Sequence, residues 1–552
     1  MQHHPSVLMM SALVALVSLL SSVSGKVNEL LAASTEPTPT KQVVEANNNF
    51  ATDLYRQLAK ANDKNNLFFS PYSIANGLLM AAEGARGKAA WQIGTVLRLP
   101  ESVRNRDDAS TAIQWTLAVE DARGGIMQQV GAVPRVPESV QNTDDDTTSI
   151  PWNLKLVHSS MADLRRRLTA DSARTQEIGK KITRLEQEHQ QLTTNLPLLE
   201  ILAQWSQLSE VSVHVDAVAR ELNMLRQQVH YDLRVANALW GEQTFPFGPA
   251  FLKRLCHAYC AAALSADFIH NGEGARVRIN RWMEEETQER IQNLLAEGTV
   301  TRDTRLVLTN GIYFKGRWAN KFDQQNIQEA DFTLEDGKTV KAMLMAAQDL
   351  NAGYAELLPD GKRNDPVFDR ATGAHLVDPN PNGFQMLTLP YRGDALAMVI
   401  LLPKRRDGVS ELEQQLAADT LTQWLEAMPK QKVHVFLPQF TLEAFYDLPK
   451  TLSAMGMPAA FQPGELTAMS DAPAARTLAL STVVHKAVIE VDEEGTEAAA
   501  TTAAATDVIS AMIGAPPPPT FRADRPFLFL IRDIQSGAIL FLGRVMNPRE
   551  AA

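Results

Sequence analysis

The stretch EVDEEGTEAAATTAAAT, residues 490–506, decides how the rest of the chain is read. It follows VVHKAVIEV (483–491), an apolar run that reads as a strand. After Gly495 the chain becomes almost wholly alanine and threonine. Alanine favours helix, threonine is tolerated in strands, and neither anchors a core. VISAMIGAPPPP (508–519) comes next, an apolar patch ended by four prolines that hold an extended, polyproline-like arm. At period two, Thr496, Ala498, Ala500, Thr502, Ala504 and Thr506 share one strand face and all are small. Glu497 and Asp507 fall on the other face. The segment reads as an exposed loop that is also fit to enter a sheet, one face buried and both charges in solvent. Roughly twelve backbone hydrogen bonds, at about 0.5–1.5 kcal/mol net each, favour that entry.

Outward from this stretch the chain alternates strands and helices. LVLTNGIYF (306–314), MLTLPY (386–391), LAMVILLP (396–403), VHVFLPQF (433–440), FLFLIRD (527–533) and ILFLGRV (539–545) predict strands, and 277–296, 410–428 and 448–456 predict helices. The pattern is α/β, with helices packed over mixed sheets. Upstream, Phe50, Leu54, Tyr55 and Leu58 share a helix face from Asn47 onward. In LFFSP (67–71), Ser70 is a helix N-cap and Pro71 a first helical residue, and the helix is expected to run on into 83–97.

Two segments interrupt the pattern. Residues 101–210 read as an insertion. Its first part is loop-like, and 154–196 carries Leu164, Leu168, Ile178, Ile182, Leu185 and Leu192 at heptad a/d positions, with Asp171, Thr175 and His189 breaking the seam. A short coiled coil or helical hairpin fits this, and so does a solvated amphipathic helix. Residues 360–383, with Pro366, Pro379 and Pro381, read as a smaller loop insertion.

The 552 residues are 45% hydrophobic and 21% charged, an ordinary globular composition, with net charge -11 and no strongly basic domain for nucleic acid. VLMMSALVALVSLL (7–20) followed by small residues to Gly25 predicts a signal peptide over 1–25 and export from the cell. The run falls short of the ~20 residues of a spanning helix, so no stable membrane association is expected after cleavage. Residues 26–46 read as a tail. Cys256 and Cys260 share one helix face beside His257. A metal needs about four ligands, so two half-buried thiols are expected, with no metal or other cofactor. No phosphate-binding loop, zinc helix or Gly-x-Ser-x-Gly elbow is present, and no enzyme is expected.

The blocks FFSPYSI (68–74), RINRWMEEET (278–287), NGIYFKGRW (310–318), LPQF (437–440), VVHKAVIEV (483–491), EEGTEAAATTAAAT (493–506) and RPFLFLIRD (525–533) resemble the serpin family, in the family's order. Gly311 stands where alanine is usual. The resemblance spans 47–100 and 215–549, and with it a serpin domain at 47–549. It implies three β-sheets, about nine helices and an exposed reactive loop, here 493–519. It also implies a suicide-substrate mechanism. A serine protease, or a cysteine protease trapped through the same acyl chemistry, cuts the loop, which then inserts into the central sheet and carries the protease away. Glu493, Glu494, Gly495, Thr496, Glu497, Ala498, Ala499, Ala500, Thr501 and Thr502 correspond to the hinge. Counting from Gly495 places the reactive bond at Ile509–Ser510, whereas counting back from Arg525 and Pro526 points to Met512–Ile513. An aliphatic residue at the cut suits an elastase- or subtilisin-like pocket.

Trp318 corresponds to the point of loop entry, and Ser70, Asn310 and His485 to the cluster that gates strand separation; none of these is catalytic. The alternative is a non-inhibitory serpin, a carrier or chaperone, though such members usually carry bulky, charged or proline residues in the hinge. A monomer is expected. The insertion lies near the family's third and fourth helices, where some members bind polyanions, so a partner there is conceivable. Around Arg165, Arg166, Arg167, Lys180, Lys181 and Arg184, however, acidic neighbours dilute the charge, and a solvated face is expected.

Overall fold

Ser70 caps the helix that begins at Pro71 as expected, its Oγ accepting the Ser73 N–H at 3.1 Å. The structure is a computed structural model. It describes residues 39–62, 64–101, 231–252, 255, 262–364, 367–368, 375–376, 382–426, 428–493 and 518–550. The leader, most of 101–210 with its heptads and basic residues, Cys256, His257, Cys260, residues Glu494 to Thr502 and both candidate reactive bonds lie outside the described residues.

In chain order the elements are α1 (Pro39–Ala61), β1 (Leu67–Phe69), α2 (Pro71–Gly84), α3 (Gly87–Val96), β2 (Tyr231–Glu242), β3 (Ala262–Ala266), α4 (Gly272–Glu286) and β4 (Leu306–Gly316). There follow β5 (Gln328–Thr333), β6 (Thr339–Leu357), β7 (Val367–Phe368), β8 (His375–Leu376), β9 (Phe384–Pro390), β10 (Leu396–Pro403), α5 (Val409–Gln415) and α6 (Ala418–Glu426). The last are β11 (Lys430–Pro438), β12 (Phe440–Asp447), α7 (Pro449–Met455), β13 (Thr482–Val491), β14 (Thr520–Arg522), β15 (Phe527–Asp533) and β16 (Ile539–Val545).

Several expected boundaries move. The first helix begins at Pro39, inside the expected tail, because Val43, Val44 and Ala46 extend its buried face upstream. The helix through 83–97 breaks where Ala85 is extended, and α3 starts again at Gly87 with φ +52°. The helix expected over 277–296 stops at Glu286, with Gln288 and Glu289 both at left-handed φ. The helix over 410–428 divides at Leu416, which is extended. The strand over 433–440 is two strands joined at Gln439. Within 360–383, β7 and β8 pair as a short ladder.

A nine-stranded sheet runs β1-β16-β15-β10-β9-β6-β11-β14, with β5 paired to β6, and a five-stranded sheet runs β12-β13-β4-β2-β3. The α2 helix packs against β2, β4 and β16, joining the two sheets. Between them Phe68 stacks on Phe529 and Phe541 with ring centroids 5.9 and 5.3 Å away. Fully buried Phe and Tyr side chains dominate this core, each contributing about 1.5–3 kcal/mol or more by leaving water.

Candidate functional site: a parallel seam and its polar lock

The five-stranded sheet has an unusual centre. Strands β13 and β4 pair in parallel, from Thr482↔Val307 to Glu490↔Lys315, while β12 and β2 flank them antiparallel. The chain leaves β13 at Asp492 and Glu493. A segment turning back from that end runs antiparallel to β13, and therefore antiparallel to β4 as well. Inserted at the seam, it would exchange one parallel ladder for two antiparallel ones, the slightly more stable pairing.

A polar row crosses this sheet. Tyr446, His485, Asn310 and Asn237 are successive register partners on β12, β13, β4 and β2. The Ser70 N–H donates to His485 Nε2 at 3.1 Å, so the ring proton sits on Nδ1 and is donated to Asn310 Oδ1. Asn310 Nδ2 donates to the Ser73 carbonyl at 2.5 Å and to Asn237 Oδ1 at 2.8 Å, and Ser73 Oγ reaches Asn237 Oδ1 at 3.2 Å. Ser70 Oγ donates to the Leu540 carbonyl of β16 at 2.7 Å. His485 is fully buried and lies parallel to the Tyr446 ring; burial pushes its imidazole down to about 3. A neutral histidine thus ties α2 to both strands of the seam.

The structure brings Ser70, Asn310 and His485 together and places Trp318 elsewhere, at the chain's exit from β13. Trp318 Nε1 donates to the Asp492 carbonyl at 2.9 Å, and its ring stacks on Tyr391 at 4.6 Å. Glu493 accepts hydrogen bonds from Gln324 Nε2 at 3.2 Å and from Gln439 Nε2. Ser73, Asn237 and Tyr446 complete the row and were not singled out in the sequence. Asn237, a lone amide inside the apolar run RVANALW, was the available signal.

The sheet has a parallel seam, and the chain that leaves it continues in sequence as a stretch of small residues. Comparison with known proteins gives the family. The family model described as "Serpin (serine protease inhibitor)" matches residues 45–126 and 179–548. The chain is 30% identical over 508 residues to Serpin B4 of Homo sapiens, covering 91% of this chain and 99% of that one. It is 40% identical over 327 residues to the leukocyte elastase inhibitor of Sus scrofa, covering 58% and 78%. Uncleaved ovalbumin (TM-score 0.61, 22% identity, 92% of this chain and 100% of that one) and Arabidopsis AtSerpin1 in its native stressed conformation (0.63, 22%, 93% and 99%) share the fold. The chain belongs to the serpin family, whose description is that of serine protease inhibitors. The family match leaves out only 127–178 of the segment read as an insertion.

Proposed function

We propose that this serpin inhibits a serine protease of elastase- or subtilisin-like specificity by inserting its cut loop between β4 and β13. The observation that carries the reading is the parallel seam, which runs into a segment with only small side chains on one strand face from Thr496 to Thr506. The protease serine attacks the carbonyl carbon of Ile509, or of Met512. The amide bond to Ser510, or to Ile513, breaks, and the released nitrogen takes a proton as a new amino terminus. The acyl ester then holds the protease on a loop that enters the seam before water reaches the ester. In this reading the chain is a trapped substrate, not a catalyst, and it acts as a monomer. Residues 1–25 direct it out of the cell. Relatives named leukocyte elastase inhibitor support an apolar cut site.

Thr496→Arg tests the mechanism. A charge on the burying face costs several kcal/mol unless paired and slows insertion. The variant is expected to be cut by elastase-like proteases as an ordinary substrate, where the wild type gives an SDS-stable complex whose released peptide begins at Ser510 or Ile513. Equal complex yield from both proteins would rule insertion out.

A further inference from the structure

Lys315 stands on β4 at the level where the chain leaves β13. Its ammonium lies 3.3 Å from Glu490 Oε2 and 2.6 Å from Asp492 Oδ2. Lys315 and Glu490 are register partners across the parallel seam. Arg290, from the irregular segment after α4, places its guanidinium 3.5 Å from Glu490 Oε1 and 5.0 Å from the centre of the Tyr313 ring on β4. Two cations and two carboxylates thus close over the end of the seam that a strand arriving from Glu493 reaches first. Lys315, Glu490 and Asp492 keep 28%, 27% and 29% of their side-chain surfaces in solvent, so dissolved salt reaches them.

We propose that this cluster is an electrostatic clasp that sets the rate of strand entry, with Lys315 as its positioning residue. The inference rests on the inhibitory reading above and adds a regulator to it. Inserting one strand takes β4 and β13 from one strand spacing to two, roughly 9.6 Å, and puts a new side chain between Lys315 and Glu490. The ion contacts are therefore lost as the seam opens. A pair that served stability alone would move the unfolding midpoint and leave the entry rate unchanged; a clasp makes the entry rate depend on salt.

The experiment follows uptake of an acetylated, fluorescently labelled peptide, TEAAATTAAAT (the sequence of 496–506), by the full chain, read as fluorescence anisotropy. At ~0.01 M salt, where screening extends over about 30 Å, Lys315→Gln is expected to take up peptide about three- to tenfold faster than wild type, the weight of two part-exposed ion pairs. Lys315→Arg should keep the wild-type rate. Near ~1 M salt the Gln variant and the wild type should converge. Glu490→Gln opens the same contact from the other strand and serves if Lys315→Gln does not fold. Uptake by wild type and both Gln variants at one rate in low salt would overturn the clasp and leave insertion standing. Failure of every protein to take up peptide would overturn insertion, and the clasp with it.

Discussion

At the scale of single residues, His485 makes the strongest claim, because its protonation state is coupled to the seam. Its folded-state pKa is depressed to about 3, against an ordinary value near 6.5, because burial disfavours the charged ring. Between those values the unfolded chain binds a proton that the folded chain does not. Stability is therefore fully present above about pH 6.5 and falls as the pH drops towards 3, by up to ~1.4 kcal/mol per pH unit from this group. His485→Gln should flatten the decline. Urea midpoints of both proteins between pH 7 and 4 decide the matter, and parallel slopes would exclude His485 as the source. The same residues mark the limit of the sequence. Ser70, Asn310 and His485 were legible as one cluster only through the family resemblance, not from the residues themselves, since residues 70, 310 and 485 meet only when β1, β4 and β13 assemble. Asn237 had no comparable block to announce it, and Ser73 lay unremarked inside the block around Ser70.

At the scale of elements, legibility followed local consistency. The strands β4, β10, β13, β15 and β16 were readable almost to the residue because dense Val, Ile, Leu and Phe runs agree with their burial. The 19-residue β6 escaped notice: exposed Lys341, Gln348, Asp349 and Asn351 interrupt its apolar positions, and Asp349 has left-handed φ. Helix-forming sequence misled at 287–296. There Asn280 of α4 holds both the N–H and the carbonyl of Leu295, at 2.8 and 3.0 Å, and so satisfies backbone that a continuing helix would have paired with itself. The contact between α4 and the seam is close enough to test. A Cβ on Gly311 of β4 would lie 2.2 Å from the Met283 sulfur and 2.8 Å from its methyl carbon, and Met283 is fully buried. Gly311→Ala should lower stability by about 1–3 kcal/mol, and Met283→Val in the same chain should recover part of that loss. Thermal unfolding of the two single variants and the double variant checks this; strictly additive effects would show that the thioether does not occupy the space over Gly311.

For the whole molecule, the proposed insertion implies that the five-stranded sheet is not the arrangement with the most backbone pairing open to this chain. One further strand between β4 and β13 would replace their parallel ladder with two antiparallel ones, with hydrogen bonds of about 0.5–1.5 kcal/mol net each. Limited proteolysis within 494–517 should therefore raise the unfolding midpoint well above that of the intact protein, whereas most cuts elsewhere lower it. Differential scanning calorimetry before and after cleavage measures the change, and a midpoint that falls or stays put would contradict uptake of the cut loop. Fold class and family were open to the sequence because both rest on short blocks and on alternation within short windows. The rest of the polar row, Ser73, Asn237 and Tyr446, and the ion cluster were not, because each depends on which distant strands become neighbours.

The pairing of β1 with β16 has its own consequence for how the protein is made. Leu67–Phe69 lies early in the folded chain, and its sheet partner, Ile539–Val545, follows every other strand described. Asn66 likewise binds the carbonyls of Asn547 and Glu550, and Asn47 that of Ile539. A ribosome delivers the first of these groups long before the last, at ≈ 5–20 residues per second. Throughout translation Phe68 lacks both rings that later enclose it, and α2 has no β16 to rest on. The nascent chain is thus obliged to postpone closure until β16 emerges, and a chain cut short before Ile539 would lack the strand that seals its core.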